Sequence, residues 1–469
     1  MRASAVSGSF ARPLPCAGLA ALLVLSPGLV PAPAAAQTVV APGPAGRGTD
    51  DLEKALRRAK PGETILLRGG VYGGARVRAS VNGAPGAPVT IRAFPRETPI
   101  LDGSGVQMGL YDSLFELTKS SHVVVVGLEV RNSAGRGINL HECENAAVRD
   151  CAIHDVQCRA LGGSGARLLF EGNRVWNACL VNADNAFVKA GKKGGWPATV
   201  QTSLRDDKRP STDVVFRNNE VRDSWGEGID AWFLDGGAIE GNVVRDCYSV
   251  LIYVDTARNL RIDRNVCVVA NERYHRADLK TPPAGIHFAT EHYDYEVPPL
   301  ADENLVVSNN LVIGAAQGIS FWCDRGNTKP HNTYRGILVA HNVVRDVWWD
   351  PLSFDKVPDG NPAPSGCAAR NNVFFKGRKG GGIAIANPAA WTFAANCWPD
   401  GIPALAKDPT SFQADPRFLK PESGAPEGFK LAAGSPCLGR AVPLKEVPAD
   451  FWGTPRRKQT PCVGLHEPK

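Results

Sequence analysis

The sequence predicts an all-β fold, a right-handed parallel β-helix of three-strand coils, with an N-terminal capping helix and an extended C-terminal tail. Three observations carry this expectation. A slot opened by Asp or Asn recurs at Asp150, Asn173, Asn219, Asn242, Asn265, Asn310, Asn342, Asn372 and Asn396, about 23 residues apart or at a doubled or lengthened interval. The segments around it are rich in Val, Ile, Asn and Gly and lack helical periodicity, which reads as short strands joined by turns. A unit this short cannot bury its own core, so successive units must stack. Stacking puts like residues above one another at about 4.8 Å, the strand spacing, and a column of Asn can then hydrogen-bond along the stack as a ladder.

Taken in chain order, Arg2 and Arg12 precede an apolar run, Ala17 to Leu29, and then Pro-Ala-Pro-Ala-Ala-Ala ending at Ala36. These are the parts of an export signal cleaved near Ala36, which predicts a periplasmic or extracellular protein. The run is too short to span a bilayer comfortably, and no later stretch approaches a membrane span. Residues 37–400 are then the β-helix and 401–469 a Pro-rich tail packed along it. Among 469 residues, 49 Gly and 36 Pro argue for many turns and against a helix bundle. A net charge of +6 is too balanced to argue for nucleic acid. A monomer is expected.

Asp50 to Ala59 reads as a short amphipathic helix. Thr49 or Asp50 is the N-cap, Leu52, Leu56 and Ala59 share a face, and Lys60-Pro61-Gly62 ends it. Such a helix would cover the open end of the stack. Thr64 to Tyr72, Val89 to Phe94 and Ile100 to Gly103 read as the first strands. The segment between Asn173 and Asn219 reads as one coil with a long loop around Lys189 to Trp196 and a strand at Pro197 to Thr202. Of the 12 cysteines, most occupy apolar repeat positions as small buried fillers. Cys437 and Cys462, in Ser-Pro-Cys and Thr-Pro-Cys, are the favoured disulfide pair. No Cys or His spacing suggests zinc.

A second column lies upstream of the Asn slot: Gly228-Ile229-Asp230-Ala231, Val250-Leu251-Ile252-Tyr253, Gly285-Ile286-His287-Phe288, Gly318-Ile319-Ser320-Phe321 and Pro351-Leu352-Ser353-Phe354. Strand alternation sends Ile229, Ile286, Ile319 and Leu352 inward and Asp230, His287, Ser320 and Ser353 outward. Trp232, Trp322 and Asp355, two residues on, share the outer face. Extra residues flank this strand, roughly at 271–284, 292–303, 325–334 and 355–366. Loops gathered on one face of a solenoid mark its binding face.

The opening Leu-Glu-Lys-Ala-Leu…Lys-Pro-Gly-Glu-Thr-Ile-Leu-Leu-Arg-Gly-Gly-Val-Tyr resembles the start of secreted right-handed β-helix proteins, including chondroitinase-B-like and alginate-lyase-like polysaccharide lyases. Trp225-Gly226-Glu227-Gly228-Ile229-Asp230, Ile252-Tyr253-Val254-Asp255 and the Asp415-Pro416-Arg417-Phe418 tail resemble bacterial exported β-helix-repeat proteins. The resemblance implies the fold over roughly 48–440. The Asp-Pro-His-Asp of mannuronan epimerases, the Asn-Thr-Asp, Asp-Asp and Gly-His-Gly set of polygalacturonases and the Arg-x-Pro-x-x-Arg of classical pectate lyases are absent, so no catalytic residue carries over by motif.

The outer face nevertheless combines Asp230, Asp255, Glu291, Asp324 and Asp355 with His287, and Trp232 and Trp322 could stack on sugar rings. Basic residues crowd the flanking loops: Lys189, Lys192, Lys193, Arg273, His275, Arg276, Lys280 and Arg325. This set suits abstraction of the C5 proton of a uronate, by a lyase or epimerase acting on an anionic polysaccharide. Asp230, Asp255 and Glu291 would surround the reacting centre and could hold Ca²⁺, a hard ion that takes oxygen ligands. His287, Arg273 or Lys280 would be the base. Trp232, Trp322, Asp324, Asp355, Lys192 and Lys193 would hold substrate. An inverting glycoside hydrolase with paired carboxylates and a non-catalytic glycan-binding surface protein are the alternatives.

Overall fold

The computed structural model describes residues 36–43, 48–291, 293, 296, 300–324 and 331–468; the expected export signal therefore lies almost wholly outside the described residues, and Arg325 lies outside them too. Short parallel strands wind into a right-handed β-helix. A coil in the middle of the stack shows the pattern: strand 229–232, strand 234–240, strand 243–247, then 250–255, 258–263 and 266–268 one level on. Each strand pairs in parallel with its equivalents above and below, building three sheets. Among the described residues the third contains 11 strands. The first and second join where strands 136–149 and 161–171 run through the corner between them.

The core follows from the register. In the third sheet Val130, Ile153, Val175, Val221, Val244, Cys267, Val312, Val344 and Phe374 form one inward column, all buried. In the second sheet Phe170, Phe216, Ile239, Ile262 and Val307 form another, opened by two stacked rings 5.2 Å apart. The predicted helix spans Gly48–Arg58, with Leu52 and Leu56 buried over the first coil. It starts two residues earlier than expected, and the Thr49 hydroxyl donates to the Gly73 carbonyl. Strand Gln37–Val40, not foreseen, extends the second sheet by pairing with Thr64–Leu67.

The asparagine column is a continuous ladder. Each Nδ2 from Asn173 through Asn372 donates to the Oδ1 of the next Asn at 2.9 to 3.0 Å, ending at Asn396. The second Nδ2 hydrogen goes to a carbonyl one coil back, as from Asn242 to Phe216. Each Oδ1 also accepts a backbone N–H, as Asn265 does from Asn242. The ladder therefore consumes the polar capacity of every buried amide. Asp150 is a correction: Cys151, not Asp150, donates its N–H to Asn173, because this coil is one residue shorter and pairs Ala152 with Arg174. Asp150 belongs to the neighbouring column of left-handed residues that turns the chain into the slot, shared with Gly172, Asn218, Gly241 and Arg264.

The segment between Asn173 and Asn219 is one coil. Strand 174–176 pairs with both 152–154 and 220–222, while strand 200–202 sits between 161–163 and 229–230. The intervening loop carries two short helical turns over 180–189. Outside the third sheet, Val243, Val266, Leu311, Val343 and Val373 make an outward apolar column. The tail covers it with Phe412, Phe429, Leu431, Val463 and Leu465. Arg456 ties the tail down through Asn309 Oδ1 at 2.6 Å, and Asn371 donates to the Val442 carbonyl at 2.8 Å. The expected Cys437–Cys462 disulfide is absent: both are buried free thiols, Cys437 bonded towards Cys397 and Cys462 towards Glu467.

Replacing one interior rung should destabilise the stack in proportion to the bonds it leaves unmade. Asn242→Ala removes the partner of two donors on Asn219 and strands the Phe216 carbonyl. It is expected to cost about 2–4 kcal/mol, read as a lower denaturant midpoint with coils on both sides of the lesion losing amide-exchange protection.

Candidate active site

The first sheet sets the site. Strands 229–232, 250–255, 284–289 and 319–322 pair so that Ile229, Ile252, Ile286 and Ile319 stack inward. The next column outward is Gln201, Asp230, Tyr253, His287 and Ser320. Two positions on, Trp232, Asp255, Ala289 and Trp322 form a parallel column. Alternation with a repeat of two forces this, and adjacent members of a column sit one strand spacing apart, about 4.8 Å. Residues distant in sequence thus become neighbours without help from any loop.

Loops before and after the strands then enclose the acids. Asp230, on the outer face as expected, is only 4% exposed. Gln201 Nε2 donates to its Oδ2 at 2.7 Å, while Oδ1 is buried with no hydrogen-bond partner among the described residues. The Tyr253 hydroxyl donates to Glu291 and the Tyr293 hydroxyl to Asp255. Trp232 Nε1 donates to Tyr293 at 2.7 Å, and Thr256 donates to the other Asp255 oxygen at 2.9 Å. Trp196, from the long loop, donates its indole N–H to Glu227. Arg276 lies 4.7 Å from the Trp196 ring centroid and pairs with Asp278 at 2.7 Å. His287 Nδ1 is 2.6 Å from Ser320 Oγ, and its ring stacks on Tyr253 with centroids 5.7 Å apart.

The electrostatics follow from burial. Loss of hydration pushes Glu227 up to about 8, with the Glu291 charge adding to the rise. Burial and neighbouring carboxylates hold Asp230 and Asp255 well above the usual range, and burial with Asp324 raises Glu291. The same loss of water lowers His287 to about 4 and raises Tyr253. At neutral pH the site therefore holds a neutral imidazole, a protonated phenol and a group of acids that cannot all ionise together.

The other expected residues are placed as follows. Trp322 is 41% exposed and continues the Trp232 column. Asp324 lies near enough to act on Glu291. Asp355 is exposed and accepts the Cys323 N–H at 3.4 Å. Arg273 is turned elsewhere, over the Trp225 ring at 5.5 Å and paired with Asp184 at 3.2 Å. Lys280 is exposed on the loop before strand 284–289. Lys192 lies over Phe187 at 4.5 Å, and Lys193 is exposed. Sequence reasoning missed Glu227, Tyr253, Tyr293 and Trp196. Tyr253 had a signal, since it occupies the slot between Asp230 and His287, but an aromatic residue in a strand reads as core. Among the described residues, no three His, Cys, Asp or Glu side chains converge as a metal-holding group. Asp230, Asp255 and Glu291 each accept a hydrogen bond from a neutral side chain.

Residues 33–250 match the family model for the Pel9A-like right handed beta helix region, and residues 204–334 that for the right handed beta helix region. No curated protein sequence matches the chain. Solved structures share the fold. The complex of XylC with xylose superposes at TM-score 0.57 with 10% identity, covering 92% of this chain and 98% of its own. Pectate lyase Pel9A gives 0.50 with 14% identity over 92% and 96%. The alginate lyase AlyF-OU02 complex with G6 gives 0.50 with 14% identity over 85% and 91%. At these identities the likeness is one of fold, a right-handed β-helix similar to alginate-lyase-like and pectate-lyase-like proteins.

The acids predict an inverted pH dependence of stability. Glu227 binds its proton more tightly folded than unfolded, so its contribution is full below the ordinary carboxylate range and is lost as pH rises towards about 8. Glu227→Gln, which cannot ionise, should unfold at nearly the wild-type temperature near pH 5 and at a higher one near pH 9. The difference corresponds to a few kcal/mol, roughly, checked by thermal melts across pH.

Proposed function

We propose that this protein is a carbohydrate-active enzyme that cleaves a uronate-containing polysaccharide by β-elimination, with His287 as base and Tyr253 as acid. The observation that carries this reading is the juxtaposition of a neutral imidazole and a protonated phenol, stacked in one outward column of the first sheet. In the reaction the C5–H bond breaks and its proton passes to the His287 ring. The electron pair forms the C4–C5 double bond as the C4–O bond breaks, and the leaving oxygen takes the Tyr253 proton. Glu291, which accepts from the Tyr253 hydroxyl and whose affinity for a proton burial raises, can return a proton to it. Asp230, whose affinity for a proton burial raises, has an oxygen with no hydrogen-bond partner among the described residues and in its protonated form can donate to the uronate carboxyl as charge builds there. Ser320 fixes the imidazole orientation through Nδ1. Trp232 and Trp322 offer faces for sugar rings.

The fold supports the reading, since two of the similar structures are a pectate lyase and an alginate lyase. The export signal read in residues 1–36 fits a substrate too large to cross a membrane, and no helix among the described residues is long and apolar enough to span one.

The test is a panel of polyuronates and neutral glycans, followed by ultraviolet absorbance of the unsaturated product and by reducing ends. A polyuronate should gain absorbance. His287→Gln and Tyr253→Phe should each lower kcat/KM by about 10²–10⁴ with unchanged melting temperature. The wild-type rate should rise with pH through about 4, as His287 becomes free to accept a proton. Reducing ends from a neutral glycan without absorbance would point to hydrolysis, and retention on an immobilised glycan without turnover to a binding protein; either outcome sinks the lyase reading.

A further inference from the structure

The groove does not stop at Asp230. On its N-terminal side, over strands 136–149, 161–171 and 200–202, lies a pocket of about 380 Å³. Its lining includes Arg136, Asn139, Arg159, Ser203 and Arg205, and Trp232 contributes to the wall, so it opens beside the acid cluster. None of these except Trp232 has a place in the elimination chemistry.

Two of its arginines are exceptional. Arg205 pairs with Glu142 at 3.3 Å, as most arginines of this molecule pair with acids. Arg159 is only 4% exposed, yet every partner of its guanidinium is neutral: Asn139 Oδ1 at 2.8 Å, Ser203 Oγ at 2.7 Å and Gln201 Oε1 at 3.3 Å. Arg136 lies over the Tyr111 ring at 5.4 Å. Neither Arg136 nor Arg159 has an acid within ion-pair distance among the described residues, and the Nε of each is buried without a hydrogen-bond partner. Asp230 is near enough to attract Arg159 without reaching ion-pair distance, and a buried cation with no anion in contact is costly unless one completes it.

The backbone is shaped to hold Arg159 there. Asn139, Gly162 and Gln201 are successive members of the outward column that continues to Asp230. A side-chain carbon at Gly162 would lie 2.0 Å from the Gln201 carbonyl oxygen and 3.1 Å from Arg159 Cδ. Glycine at this slot leaves room for the Arg159 stem between its neighbours.

We propose that this pocket is a subsite for the carboxylate of a second uronate residue, bound by Arg136 and Arg159 while the reacting residue sits over Asp230, Tyr253 and His287. From Asn139 to Asp230 is three strand steps, about 14 Å, so the two sugars belong to one chain laid along the axis of the stack. The planar guanidinium fork matches a carboxylate. This inference rests on the reading of the groove as a polyuronate cleft, and it makes the cleft selective for a chain that carries acidic sugars at both positions.

Calorimetry on the full chain tests it, with a galacturonate oligomer, a mannuronate oligomer, the same oligomers with carboxyls reduced to alcohols, and a sulfated neutral oligosaccharide. His287→Gln is used as the background, so that binding is read without turnover. At least one uronate oligomer should bind well above its reduced form. Arg136→Ala, a partly exposed position, should weaken that binding about tenfold, the loss of one charge-assisted contact, and flatten its salt dependence without lowering the melting temperature. Arg159→Lys, which keeps the charge and loses the fork, should weaken it as well. Unchanged uronate affinity in Arg136→Ala, equal binding of the reduced oligomers, or preference for the sulfated glycan overturns the subsite. If binding depends on Arg136 but the wild type releases no unsaturated product, the subsite stands and the elimination chemistry falls.

Discussion

In-register stacking of coils is the constraint on which the rest of the molecule depends. Parallel strands one spacing apart bring identical slots of successive coils together, so each column of the sequence becomes a line in space. The asparagine ladder enforces that register: a rung satisfies its own amide only if the rungs on both sides are at the same height. Slipping a coil by one residue would strand several buried donors at once and turn its apolar column outward. The columns of the first sheet inherit this precision, which is why Asp230, Tyr253, His287 and Ser320 face one groove across 91 residues of chain.

The groove is divided electrically. Over the middle coils, burial raises the proton affinity of the carboxyls and keeps the imidazole neutral, an environment suited to moving protons rather than to holding charge. A few strands towards the N-terminus, Arg136 and Arg159 keep positive charge under a wall partly made by Trp232. The long loop of the coil between Asn173 and Asn219 serves both halves. Its indole at Trp196 shields Glu227, and its strand supplies Gln201, which donates to Asp230 and accepts from Arg159. One amide thus links the two regions.

How much of this was legible follows from what repeats. The ladder, the inward Val and Ile columns and the outward direction of Asp230 and His287 recur with the coil and could be read directly. Asp150 was misassigned because its coil is a residue short, and only the pairing of Ala152 with Arg174 reveals it. Glu227 sits in the turn before the strand, where no periodicity marks it. Arg159 escaped notice because the strand it precedes reads Leu161-Gly162-Gly163, unlike its neighbours, and the glycine that blurs the pattern is the one beside which the arginine lies. The burial of Asp230 came from loops, whose paths depend on contacts far apart in the chain.

The outward apolar column from Val243 to Val373 has a consequence for how the molecule is made. Until residues beyond 400 have been synthesised and laid across it, a greasy strip runs along the outside of an otherwise finished stack. The nascent protein is therefore at its most adhesive just before completion, and a chain cut short by a few dozen residues would keep its groove yet tend to clump through its back.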